Sequence, residues 1–121
     1  MYLYDTFSGM PFADADDSHG VGDFQGTSAE AVQAVMPDAI VIEGIFPDTL
    51  IGMPPIAFAH VDCDQYRSVK SCIDTLSPLM AEGGMMWFDD YACTNGCTKA
   101  VHEAYGEGNF ERIADKAQVR F

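Results

Sequence analysis

Four short apolar runs in this chain each end on an acidic residue, and that repeated arrangement restricts the fold more than any other feature. Tyr2-Leu3-Tyr4 stops at Asp5, Ala39 to Ile42 stops at Glu43-Gly44, Ile56 to Val61 stops at Asp62, and Met85 to Phe88 stops at Asp89-Asp90-Tyr91. Short runs rich in aliphatic and aromatic residues, without polar alternation, are the pattern of strands buried on both faces, as in parallel sheets.

Helical patterns fall between and after these runs. Thr27 and Glu30 stand at capping-box spacing ahead of Ala31, Val32 and Val35, and Pro37 blocks continuation, which predicts a short helix with its apolar stripe against a sheet. Between Tyr66 and Ala81, Val69, Cys72, Ile73, Leu76 and Met80 recur at three- and four-residue intervals, with Gly83-Gly84 as the stop. Lys99 to Tyr105 supplies a further helix, and Phe110 to Phe121 holds two short edge strands. Strands alternating with helices imply βαβ units and a mostly parallel sheet with helices on both faces. The 121 residues allow one small domain. Phe12 to Gly26, rich in Asp and Gly and without periodicity, reads as a loop long enough to be a lid.

Composition narrows the function classes. With 6 Lys and Arg against 19 Asp and Glu, the net charge of −13 opposes binding to nucleic acid or to an anionic membrane surface, since both need basic residues to displace counterions. Cations are the expected ligands. Asp14, Asp16 and Asp17 read as a solvated loop with no chemistry assigned. The start, MYLYDTF, has neither a basic nor an apolar leader segment, so a reducing cytoplasm is expected for Cys63, Cys72, Cys93 and Cys97. Cys93 and Cys97 form only half of a zinc pattern, and buried free thiols are the commoner outcome.

In open α/β sheets ligands bind outside the carboxyl ends of the strands, so Asp5, Asp62, Asp89 and Asp90 should share one edge. Asp62 after one strand and Asp89-Asp90 after the next would bring three carboxylates to one site, which repel each other unless a cation joins them. Hard oxygen donors without a Cys or His pattern select Mg²⁺, Mn²⁺ or Ca²⁺, with Mg²⁺ first. A single Asp at such a place more often caps the following helix. Asp64, next but one to Asp62, competes as a ligand, and the spacing leaves the two unresolved. His60 reads as a buried structural residue of its strand, His19 as a loop residue and His102 as a helix-surface residue.

The segments YDTFSGMP (4–11), EGIFPDTL (43–50), HVDCDQY (60–66) and DDY (89–91) occur in the order of the blocks of the macrocin O-methyltransferase family, which this chain resembles from Leu3 to about Tyr105. Gly83-Gly84 before the last block and Ala100-Val101 after it extend the match. The resemblance implies a Rossmann-like, three-layer class I methyltransferase fold. That fold would be incomplete here, as a single partial domain over 1–121, because the family's first strand and its glycine-rich donor loop are expected before Tyr2. It implies a Mg²⁺-dependent transfer of methyl from S-adenosylmethionine to a sugar hydroxyl of a natural product or glycan. It further implies Asp62, Asp89 and Asp90 as metal ligands, and Asp62 as acceptor of the hydroxyl proton. Asp5 would then bind the donor's ribose, Glu43 and Gly44 would border the adenine, and Phe46 would pack near it. A non-catalytic remnant that binds a metal or a partner is the alternative. A phosphoryl hydrolase, suggested by Asp62-x-Asp64, is disfavoured by the lack of a following Thr. The acceptor and the oligomeric state, a homodimer among the options, stay open.

Overall fold

The computed structural model describes residues 1–121. Strands β1 (Tyr2–Asp5) and β2 (Ile40–Glu43) pair in parallel, joined by a long loop and helix α1 (Ala29–Val35). Strands β3 (Ile56–Val61) and β4 (Met80–Phe88) also pair in parallel, joined by α2 (Tyr66–Leu76). Helix α3 (Asn95–Tyr105) then leads into an antiparallel hairpin of β5 (Glu111–Ile113) and β6 (Lys116–Arg120). The result is a two-stranded sheet, β1-β2, and a four-stranded sheet in the order β3-β4-β6-β5. All four acid-terminated runs are strands, as their composition predicts.

The core lies in the larger sheet. Val61, Met86, Phe88, Ala117 and Val119 meet Val69 and Ile73 of α2 and Cys97, Ala100 and Val101 of α3, with Tyr91 closing the cluster. These strand residues alternate, so one face is covered by α2 and α3. On the opposite face Phe58 and His60 stand exposed. The expected helices on both faces are therefore found on one face of this sheet only, and α1 lies by β2 instead.

Several boundaries differ from the sequence expectation for identifiable reasons. The α1 cap is Ser28, whose Oγ accepts from the Ala31 amide at 3.2 Å, rather than Thr27. The stripe on α1 is thinly covered, with no buried residue and Val35 81% exposed. Helix α2 stops at Leu76 in a 3-10 turn over Ser77–Leu79, because Pro78 has no amide proton with which to continue it. Met80, Gly83 and Gly84 thus belong to β4. Helix α3 begins at Asn95, where the Thr94 hydroxyl accepts from the Cys97 amide at 3.3 Å. Strand β6 is interior rather than an edge, which is why Ala117, Gln118 and Val119 are buried. No helix is long and apolar enough to cross a membrane.

The acidic loop is tied down more firmly than a solvated run. Asp14 pairs with Arg67 at 2.9 Å and Asp16 with Lys99 at 2.5 Å. The Asp17 carboxylate accepts from the Tyr66 amide at 2.8 Å, capping α2 from outside its own sequence neighbourhood. Gln65, almost fully buried, bonds both the amide and the carbonyl of Phe12.

Candidate metal centre at the ends of β3 and β4

The parallel register of β3 and β4 aligns His60 with Trp87 and Val61 with Phe88. One step further, Asp62 falls beside Asp89, and the Asp89 amide extends the ladder by donating to the Val61 carbonyl at 3.0 Å. Side chains on a strand share a face every second residue, so His60 and Asp62 join Trp87 and Asp89 on the face that α2 and α3 leave open. His60, Asp62 and Asp89 can each bring one ligand atom within 4.8 Å of the others. His60 Nε2 lies 3.3 Å from Asp89 Oδ1, and Trp87 Nε1 donates to the same oxygen at 3.4 Å.

Asp90 and Asp64 form the adjoining layer. Asp64 is held in the left-handed region (φ 53), which a short polar residue tolerates better than a branched one. That conformation sends its amide to Asp90 Oδ2 at 3.0 Å and its carbonyl to the Thr94 hydroxyl at 2.8 Å. The Asp64 carboxylate turns instead toward His19 Nε2, 3.8 Å away. Of the two competing acids, Asp62 is the one that stands with Asp89. Asp90 has one oxygen engaged by the Asp64 amide, and it is His60 rather than Asp90 that completes the group of three.

The electrostatics record the crowding. Desolvation by burial, followed by the charges of Asp90 and Asp89, pushes the Asp62 carboxyl above the ordinary range. Burial also raises Asp90 and Asp64, against the lowering effect of the Asp64 amide on Asp90 and of His19 on Asp64. Asp89 moves the other way, lowered first by the hydrogen bond from Lys116. Asp62 and Asp90, raised first by burial and then by neighbouring carboxylates, stand with an imidazole beside them, a donor set that suits a hard or borderline divalent cation. Cys97 lies in the hydrophobic core, where burial pushes its thiol up to about 12.

Asp5 and Glu43 are partners across β1 and β2 and both are exposed. Asp5 Oδ1 accepts from the Phe7 amide at 2.7 Å, the local turn that a strand-end Asp often makes, which leaves its other oxygen unengaged by the chain. The Gly44 amide donates to the Asp5 carbonyl at 2.9 Å, and its positive φ of 132° and a Thr49 methyl 2.5 Å from where a Cβ would stand both require glycine there. Phe46 packs edge-to-face on Tyr4 with ring centroids 5.3 Å apart. His102, expected on the helix surface, instead lies 2.7 Å from the Tyr91 hydroxyl. A strand covered on both faces would bury His60 away from any ligand, whereas here one face is open and its two-residue spacing from Asp62 is the sequence signal that both share it.

Strand-end acids on a split parallel sheet closed by an antiparallel hairpin define an α/β chain of the class I methyltransferase fold, incomplete over these residues. Two solved structures share that fold. The O-methyltransferase NovP superposes with a TM-score of 0.80 over 98% of this chain and 58% of its own, at 23% identity. A calicheamicin methyltransferase does so with a TM-score of 0.71 over 99% and 59%, at 20% identity. Residues 1–113 match the macrocin-O-methyltransferase (TylF) family, to which the chain belongs. A curated relative from Streptomyces olivaceus, 8-demethyl-8-(2,3-dimethoxy-alpha-L-rhamnosyl)-tetracenomycin-C 4'-O-methyltransferase, is 32% identical over 88% of this chain and 47% of its own length. The chain thus spans about half the length of the relatives it matches.

Proposed function

We propose that the protein is a Mg²⁺- and S-adenosylmethionine-dependent O-methyltransferase acting on a sugar hydroxyl of a natural product. The observation that carries this is the pairing of Asp62 with Asp89 at the ends of adjacent parallel strands, in a chain of the macrocin O-methyltransferase family. The tetracenomycin relative is named for methylation of a rhamnosyl derivative, which supports a sugar acceptor. The net charge of −13 favours such an acceptor over nucleic acid or anionic lipid.

Asp62 and Asp89 would hold the ion, with Asp90 beside them and His60 within ligating reach. A divalent ion held by these side chains would supply Lewis-acid polarisation of an acceptor hydroxyl. Asp62, one of the residues that would hold the ion, would also stand to accept the hydroxyl proton as the methyl group moves. The free oxygen of Asp5 would be available to a ribose hydroxyl of the donor, with Glu43, its partner across β1 and β2, and Gly44 placed to border the adenine. Phe46 contributes through its packing on Tyr4.

The test is transfer of labelled methyl from S-adenosylmethionine to rhamnosylated acceptors, with and without EDTA. EDTA-sensitive transfer is expected, falling by roughly 100-fold in Asp62→Ala and Asp89→Ala. Transfer untouched by EDTA and by both substitutions would contradict it. Divalent binding with no transfer to any hydroxyl would favour the non-catalytic alternative.

A further inference from the structure

Asp89 has a partner that the acid motif does not contain. In the antiparallel register of β4 and β6, Phe88 faces Ala117, so the next position sets Asp89 against Lys116. Lys116 Nζ donates to Asp89 Oδ2 at 2.8 Å, while Asp89 Oδ1 is turned to His60. The lysine side chain is 23% exposed, and its other ionic contact is Asp115, 3.6 Å away and more open to solvent. Lys116 also lies beyond residues 1–113, the part of the chain that matches the family.

We propose that Lys116 is the charge-setting residue of the metal centre, a built-in counter-cation that stands against Asp89 when no divalent ion is bound. This rests on the metal reading above. Lys116 sets one positive charge directly against Asp89, beside Asp62 and Asp90, and so offsets part of the negative charge that would otherwise draw in a cation. Lys116 and the ion are attracted by the same carboxylates and repel each other, so each weakens the hold of the other. The lysine thereby keeps the cation-free cluster from repelling itself and biases the site toward divalent over trivalent ions. His60 and Trp87 contact the other carboxylate oxygen of Asp89, Oδ1.

The test is calorimetric titration of the EDTA-treated protein with Mg²⁺ and with Tb³⁺, on the wild type and on Lys116→Met, Lys116→Arg and Asp89→Asn. Lys116→Met is expected to lower the melting temperature of the cation-free protein, with Mg²⁺ recovering the loss. It should bind Mg²⁺ roughly tenfold more tightly, as expected for removing a unit charge about 5 Å from a divalent ion in a solvated site. The gain should be larger for Tb³⁺, since the repulsion scales with ion charge. Lys116→Arg should behave as wild type and Asp89→Asn should lose the binding. Equal or weaker Mg²⁺ binding by Lys116→Met, or a stability loss that Mg²⁺ leaves in place, would overturn the proposal and assign Lys116 a packing role. No Mg²⁺ binding by the wild type would instead remove the metal reading and this proposal with it.

Discussion

Taking the charge off position 62 should stabilise the cation-free protein. The Asp62 carboxyl sits above its ordinary range because of burial and then of Asp90 and Asp89, so the folded state holds its proton more tightly than the unfolded chain. A group of this sign contributes stability in full below the unfolded carboxyl value, and that contribution is lost as pH rises through the raised folded value. Asp62→Asn should therefore match the wild type near pH 3.5 and melt about 2–3 °C higher at pH 7, on the order of 0.5 kcal/mol after solvent screening. Thermal unfolding in EDTA at the two pH values reads this directly; a variant that melts lower at pH 7 would mean that Asp62 is held by favourable partners. Asp89 should behave oppositely, since Lys116 holds its carboxyl low, and Asp89→Asn should cost stability above about pH 4. The candidate acids could be read from sequence because each follows an apolar run. Lys116 could not, because its place depends on the pairing of β6 with β4.

At the scale of elements, the site depends on the strand and helix ends that carry it. Phe88 is fully buried immediately before Asp89, and truncation to Ala should cost about 3–5 kcal/mol in urea unfolding. Gly96, in the first turn of α3, has no room for a side chain. An added Cβ would lie 2.6 Å from both the Tyr66 amide and the Asp17 carboxylate, and 3.1 Å from the Asp64 carbonyl. Gly96→Ala should thus destabilise by about 1–3 kcal/mol and loosen the acidic loop, despite the better helix propensity of alanine. Protease cleavage within residues 12–26 would report the loosening, and an unchanged cleavage rate would argue that the loop is held independently of α3. These elements were legible where period and composition agreed: β3 was placed residue for residue. The end of α2 was misplaced because Met80 fits the helical period while Pro78, two residues earlier, ends the hydrogen bonding. The two short C-terminal strands were visible, but nothing local to 110–121 tells which of them is the edge.

Across the whole molecule the two sheets are not hydrogen-bonded to each other, and β1 and β3 each present an open edge. The β3 edge carries Phe58, 55% exposed, and open edges with apolar residues favour pairing with other chains. A polypeptide of residues 1–121 should therefore self-associate in sedimentation experiments, and Phe58→Glu should shift it toward monomer. What the sequence left undetermined was which acids meet, since that requires the Val61–Phe88 register and the left-handed turn at Asp64. The meeting of Asp62 and Asp89 around a divalent ion is open to one direct measurement, electron paramagnetic resonance of Mn²⁺ added to the metal-free protein. The free six-line signal should be suppressed up to one equivalent by the wild type and restored in Asp62→Ala and Asp89→Ala; suppression that survives both substitutions, or none in the wild type, would contradict it.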